Sequence, residues 1–199
     1  METSTKKRFD TRQMVRVSIL GLLGYILLMF NMPLPIFPSF IKIDIANLPG
    51  IIASITMGPA AGAGVEFVKN IIKALLASET IGIGEVSNLI CGVSLVVPIG
   101  IIYRKIPNVK GYILGSAAGI LSLAIAASAS NYFFIIPAYA VAFGGMEAII
   151  ALCAKVNANV TDLSAVIVFA IIPFNLLKGT LNAVLGYLIY KFVKPVFSV

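Results

Sequence analysis

The chain contains no histidine, and only 12% of its 199 residues are charged. Without histidine there is no H-E-x-x-H zinc motif and no imidazole proton relay. The G-x-x-x-x-G-K-[ST] pattern is also missing, so no P-loop is present to hold ATP. A nucleophile elbow, a pair of buried carboxylates, an arginine-rich span and a TVGYG filter are absent too, which removes the usual signs of a hydrolase, a voltage sensor or a potassium channel. Cys91 and Cys153 both lie in apolar runs without CxxC spacing, and read as small apolar helix residues rather than a disulfide or metal site. Any uptake this chain drives must draw its energy from a partner or an ion gradient.

What is present is grease. Hydrophobic residues make up 59% of the chain and the mean hydropathy is +1.02, whereas soluble domains carry roughly 45–50% apolar and about 25% charged residues. Such a chain has too little polar surface to face water, so the bilayer is its solvent. A crossing helix needs ~20 residues, which leaves room for about six crossings and no soluble catalytic module. The expected fold is all-α: a single polytopic membrane domain.

The net charge of +7 is not spread as a nucleic-acid groove would require. Lys6, Lys7, Arg8, Arg12 and Arg16 crowd a basic tail over residues 1–14 and the start of the first span. Arg104, Lys105 and Lys110 share one loop, and Lys191 and Lys194 end the chain. That is the pattern of cytoplasmic segments under the positive-inside rule. No small-residue cleavage site follows the first apolar run, so it is read as a retained helix rather than a signal peptide.

Hydropathy and breakers place spans at about 15–30, 45–57, 60–76, 85–103, 111–129 and 173–191. Pro33, Pro35 and Pro38 end the first and brace the loop behind it; Gly58-Pro59 separates the second from the third. Residues 130–172 are ambiguous, because Pro137, Gly144-Gly145 and Glu147 interrupt an apolar stretch. With six spans, both termini and the Arg104–Lys110 loop share the cytoplasmic side, which gathers ten of the fifteen basic residues there. Seven spans would split them. Six are therefore expected, with 130–172 a long structured outer loop of short helices before the last span. Gly111, Gly115 and Gly119 form a GxxxGxxxG stripe that suits close helix packing, either within the bundle or against a partner.

Polar groups at membrane depth are costly and mark candidate sites. Under this topology they collect near the outer ends of helices. Glu66, Lys69, Asn70 and Lys73 follow i, i+3, i+4, i+7 spacing on one face; Glu85 and Asn88 share another; Asn175 and Lys178 share a third. Asp44 lies in the proline-braced loop and Asn131 follows the fifth span. Together they describe a cup open to the outside. The alternative is a solvated rim with structural ion pairs such as Glu66–Lys69. Asparagine both donates and accepts, which suits a neutral heteroaromatic ligand better than an ion. Phe37, Phe40, Phe133, Phe134 and Tyr139 either wall that cup or form an interfacial aromatic belt.

Several blocks then occur in a recognisable order: Pro35-Ile-Phe-Pro38 with Lys42-Ile-Asp-Ile-Ala-Asn-Leu-Pro49, Gly58-Pro59 with Val68-Lys-Asn-Ile-Ile-Lys73, Gly82-Ile-Gly-Glu85 with Asn88, and Pro173-Phe-Asn-Leu-Leu-Lys-Gly179. In this the chain resembles the substrate-binding S-components of energy-coupling factor (ECF) vitamin transporters, most closely the riboflavin-specific branch. The resemblance implies a six-helix bundle with both termini cytoplasmic in a bacterial plasma membrane. It also implies an outward pocket for riboflavin, which is cargo rather than a resident cofactor. The ligand-holding positions it implies are Asn131, Asn175, Lys178 and the loop from Asp44 to Ala46, with Glu85 and Asn88 as weaker carry-overs. The implied partners are a transmembrane scaffold subunit and two ATPase subunits. Family members usually carry an Ala-x-x-x-Ala docking motif in the first helix. Here Ser18, Gly21 and Gly24 stand instead, so the docking face is expected on them although the pattern departs from the family's.

Two other readings remain. An ion-gradient-driven secondary transporter would need a coupling acid in mid-bundle, for which Glu66 is the deep candidate. A membrane enzyme would lack its catalytic constellation, and a ligand-free structural subunit would leave three aligned polar faces unexplained.

Overall fold

The computed structural model describes residues 10–142 and 144–197, with side chains to residue 192. Lys6, Lys7 and Arg8 of the basic tail lie outside the described residues. The chain forms helices α1 (Thr11–Leu28), α2 (Leu48–Thr56), α3 (Pro59–Leu76) and α4 (Ile83–Lys105). Helix α5 runs over Val109–Ala142 with a π-helical turn at Asn131–Ile135. Helix α6 is Met146–Ala154. Helix α7 begins at Leu163–Val166, passes through a second π-helical turn at Ile167–Ile171, and continues as Ile172–Phe197. Between α1 and α2 a two-residue ladder joins β1 (Met32–Pro33) to β2 (Lys42–Ile43), with Met32 opposite Ile43. The loop braced by prolines is thus a small hairpin.

Residues 130–172 differ from the expected string of separate short helices. The first thirteen continue α5, and Leu163–Ile171 are already part of α7. Only α6, between them, is a separate helix. Pro137 and Pro173 suggested breaks, since proline has no N–H and its ring crowds the preceding turn. Each lies two residues beyond a π-helical turn. The wider turn gives the ring room and leaves an i−4 partner unneeded, so the helix passes through.

Four helices among the described residues are long and apolar enough to cross a membrane: Thr11–Leu28, Ile83–Lys105, Val109–Ala142 and Leu163–Phe192. Their outward faces are apolar: Ile19, Leu121, Ile125, Val184 and Phe192 are all more than half exposed. Charges within the bundle are buried instead, as with Glu66 and Lys69 of α3, both fully buried. This inversion of the water-soluble pattern is what a lipid solvent demands.

Small residues bring the helices together. A Cβ on Gly115 would lie 3.0 Å from Ile99 Cα of α4, and one on Gly119 would crowd the Leu95 carbonyl, so the stripe on α5 packs within the bundle. At the end remote from the hairpin, α4, α5 and α7 are tied by tyrosines. The Tyr103 and Tyr190 hydroxyls are 2.6 Å apart, and the Tyr112 ring stacks on Tyr190 with centroids 5.7 Å apart. At the same end Arg104 donates to the Met57 carbonyl at 2.9 Å, capping α2.

Candidate ligand-binding site

Asp44 opens the segment that joins the hairpin to α2. It is 5% exposed, and its Oδ1 accepts the Ala46 N–H at 3.0 Å in a tight Asx turn. Its Oδ2 accepts Lys178 Nζ of α7 at 2.7 Å. Lys178 also donates to Asn88 Oδ1 of α4 at 3.3 Å. Three separate elements therefore meet on one ammonium. Burial acts to raise the Asp44 carboxyl pKa; the charges of Lys178 and Lys69 and the hydrogen bonds from Lys178 and Ala46 outweigh it, holding the group below the usual carboxylate range.

Above this pair opens a cavity of about 150 Å³. Asp44, Asn88, Asn131, Asn175 and Lys178 all line it, so five of the seven expected ligand residues are brought to one place. The π-helical turns set Asn131 and Asn175. Asn131 begins the first, and Asn175 follows the second by one turn. Each commits its Nδ2 to a carbonyl of its own helix, Ala127 and Ile171, both at 2.8 Å. Each therefore keeps Oδ1 and one Nδ2 hydrogen to offer a ligand. Leu28, Ile135, Ile171 and Phe174 supply apolar wall, and the Cys91 thiol borders the floor.

A second cavity of about 300 Å³ adjoins the first and shares Phe40, Lys42, Glu79, Thr80 and Tyr139 with it. Its remaining lining is apolar, from Ile136, Ala148, Ile149 and Leu152. Helix α6 thus roofs an apolar annex to a polar cup. Of the five expected aromatics, Phe40 and Tyr139 stand between the two cavities. Phe37 is buried edge-on against Phe174, with centroids 5.3 Å apart, while Phe133 and Phe134 point outward.

Two expected ligand residues do not line the cup. Ala46 is fully buried and does not line the cup. Glu85, 3% exposed, organises the loop 77–82: its Oε2 accepts the Ser78 and Thr80 hydroxyls at 3.1 Å, and its Oε1 lies 3.4 Å from Lys73 Nζ. That loop presents Glu79, which meets Lys42 of the hairpin at 3.0 Å across the mouth. The expected α3 stripe also divides. Lys73 reaches the cup, whereas Glu66, Lys69 and Asn70 lie buried away from it, with Glu66 and Lys69 paired to each other.

The structure places two of the three expected docking residues inside the bundle. Gly21 and Gly24 are buried under α3, where a Cβ on Gly21 would meet the Val68 side chain and one on Gly24 would lie 3.1 Å from Lys69 Cδ. Their smallness lets α1 approach α3. Ser18 alone is exposed, and it donates to the Met14 carbonyl of its own helix.

Asn182 went unnoticed in the sequence. It is fully buried, and its Nδ2 donates at 3.0 Å both to the Asp44 carbonyl and to that of Lys178. Its position, i+4 from Lys178 and i+7 from Asn175, extends the same stripe and was available as a signal. No group of three His, Cys, Asp or Glu side chains among the described residues is placed to hold a metal ion.

Comparisons with known proteins point one way. Residues 12–190 match the family model described as the substrate-specific component of ECF transporters. The chain is 31% identical over 186 residues to the riboflavin transporter FmnP of Bacillus subtilis, covering 92% of this chain and 93% of that protein. It is 27% identical over 182 residues to the riboflavin transporter RibU of Staphylococcus aureus, covering 92% and 90%. A solved structure of the S component of a bacterial ECF transporter superposes with a TM-score of 0.74 at 23% identity, over 94% of this chain and 98% of that one, which shows a shared fold.

Proposed function

The chain belongs to the family of ECF transporter substrate-specific components, and on that premise we propose that its cup binds riboflavin at the outer face of a bacterial plasma membrane for import. The observation that carries the reading is the convergence of Asp44, Asn88, Asn131, Asn175 and Lys178 on one cup beside an apolar annex. Riboflavin has matching parts. Its pyrimidine edge alternates carbonyls with an N–H, its ribityl chain carries hydroxyls, and its far end is a dimethylbenzene ring. The two asparagine Oδ1 atoms accept from ring N–H or hydroxyl groups. Lys178, with two of its three donors committed, has one left for a ring carbonyl or a hydroxyl. The hydrocarbon end fits among Ile136, Ile149 and Leu152. Because Asp44 and Lys178 cancel, the cup has no excess charge at its floor and suits a neutral ligand.

Six crossings, with both termini cytoplasmic, fit this assignment. Helix α2 has only nine residues, yet residues 45–47, with Ala46 and Asn47 buried, precede it and its far end meets Arg104 at the inner end of α4. Loop and helix together make the second crossing. Helix α3 carries three charges, but Glu66 and Lys69 neutralise one another, so it crosses as well. Import then relies on a transmembrane scaffold subunit and two ATPase subunits, since this chain lacks a P-loop. The pairing of Glu66 also weakens the ion-coupled alternative, which needs a free acid at depth.

The test is titration of riboflavin into the purified chain stripped of carried-over ligand. Riboflavin absorbs and emits in the visible, where the chain's seven tyrosines do not, so flavin emission reports binding directly. Saturable one-to-one quenching at submicromolar concentration is expected, with at least a tenfold loss in Asn175→Ala, Lys178→Ala. Binding unchanged in that variant overturns the site. A folded chain that quenches nothing overturns the ligand, and gradient-driven uptake by the chain alone in proteoliposomes overturns the reliance on partners.

A further inference from the structure

We propose that Lys69, which lies outside the cup, is a positioning residue that sets the place of Asp44 and, through it, of the Lys178 ammonium. Its Nζ donates to Asn47 Oδ1 at 2.8 Å and to the Ala46 carbonyl at 3.4 Å, while pairing with Glu66 one turn earlier on α3. Ala46 closes the Asp44 turn and Asn47 directly follows it. On its other side that turn is held by α7, through Lys178 on Oδ2 and Asn182 on the Asp44 carbonyl. The four residues 44–47 are thus gripped between α3 and α7, and Lys69 is the whole of the α3 grip found among the polar contacts.

Two features show that the grip is built rather than incidental. Asn47 stands at the N-cap of α2, where its Oδ1 would ordinarily accept a helix N–H, but it makes no such bond and gives the oxygen to Lys69. Three glycines on three helices also clear space for the charged pair. A Cβ on Gly24 of α1 would crowd the Lys69 stem, and a Cβ on Gly50 of α2 or Gly92 of α4 would crowd the Glu66 carboxyl. A buried ion pair is weak evidence for stability, because well-packed apolar residues of similar volume serve as well or better. Its retention here is explained by the direction it imposes: an ammonium fixed by Glu66 aims hydrogen bonds at one loop.

The test uses the full chain and two routes to the same cut. Asn47→Ala removes the acceptor and leaves Lys69 paired; Lys69→Met, Glu66→Gln removes both charges together, so that no lone ion is buried. The first readout needs no ligand. In hydrogen exchange, the Ala46 amide, which donates to Asp44 Oδ1, should exchange at least tenfold faster in both variants, with amides of α4 and α5 unchanged. Unaltered protection at Ala46 overturns the proposal. The second readout rests on the riboflavin reading: each variant should bind about tenfold more weakly, and the triple variant no more weakly than either. Losses that multiply overturn the proposal, since they would mean two independent effects. A wild-type chain that does not bind riboflavin counts against the ligand, while the exchange measurement still decides the role of Lys69.

Discussion

Lys178 Nζ and Asp44 Oδ2 are 2.7 Å apart although 134 residues separate them in sequence. The contact joins the hairpin segment to the last helix, and it forms where both side chains are almost fully buried. Removing one member leaves the other as an uncompensated charge, which costs about 3–5 kcal/mol in comparable buried pairs. Asp44→Asn should therefore lower thermal stability and weaken riboflavin by at least tenfold. Adding Lys178→Met should restore much of the stability but none of the affinity. Thermal unfolding and flavin titration on the three proteins separate these effects, and recovery of both in the double variant would reduce the pair to a structural strut.

A pH series checks the charge state. The Asp44 carboxyl is held below its ordinary value, so the folded state binds its proton less readily than the unfolded chain does. The resulting stabilisation is complete above about pH 4, the ordinary range for aspartate, and is lost as pH falls through the lowered folded value. Riboflavin affinity should stay level from pH 7 to about pH 4.5. A titration midpoint above pH 5 would show that Lys178 does not hold the carboxylate.

Gly92 reads the packing of the buried pair. An added Cβ would come within 2.6 Å of Glu66 Cδ, and overpacking of this kind costs about 1–3 kcal/mol. Gly92→Ala should lower the unfolding temperature clearly. Gly64→Ala, whose Cβ would meet only Val17 Cγ1 at 3.2 Å, should lower it less. Equal shifts would mean that the slot around Glu66 is loose.

Hydropathy, charge clustering and the i, i+3, i+4 stripes made the helical membrane class and most of the cup legible in the sequence. Asn131, Asn175, Lys178 and Asp44 stand out because polar groups in apolar runs are rare. What the pattern hides is direction. Gly21 and Gly24 could face a partner or a neighbouring helix, and spacing alone does not say that α3 fills the groove. The split of Glu66 and Lys69 from Lys73 is hidden for the same reason, since one helix face continues from the buried centre to the open end. Helix continuity at residues 131–142 and 163–173 is hidden by proline, because the local rule says break and the longer-range answer is a π-helical turn.

Pro173 carries the sharpest consequence of that turn. Each residue in an α-helix advances about 100°, so absorbing one extra residue re-aims every side chain beyond it. Asn175 and Lys178 lie two and five positions after Pro173, and both face the cup. Pro173→Ala restores an N–H and removes the ring that favours the wide turn, which lets the helix relax towards regular α geometry. The chain should then be as stable as wild type or more so, because a proline inside a helix is unfavourable by about 3 kcal/mol relative to alanine. Riboflavin affinity should nevertheless drop about tenfold, since the amide and the ammonium would no longer point at the same place. Flavin titration beside thermal unfolding reads both quantities. Stability and affinity rising together would show that the proline is merely tolerated, whereas a gain in one at the expense of the other ties the irregular turn to the site it shapes.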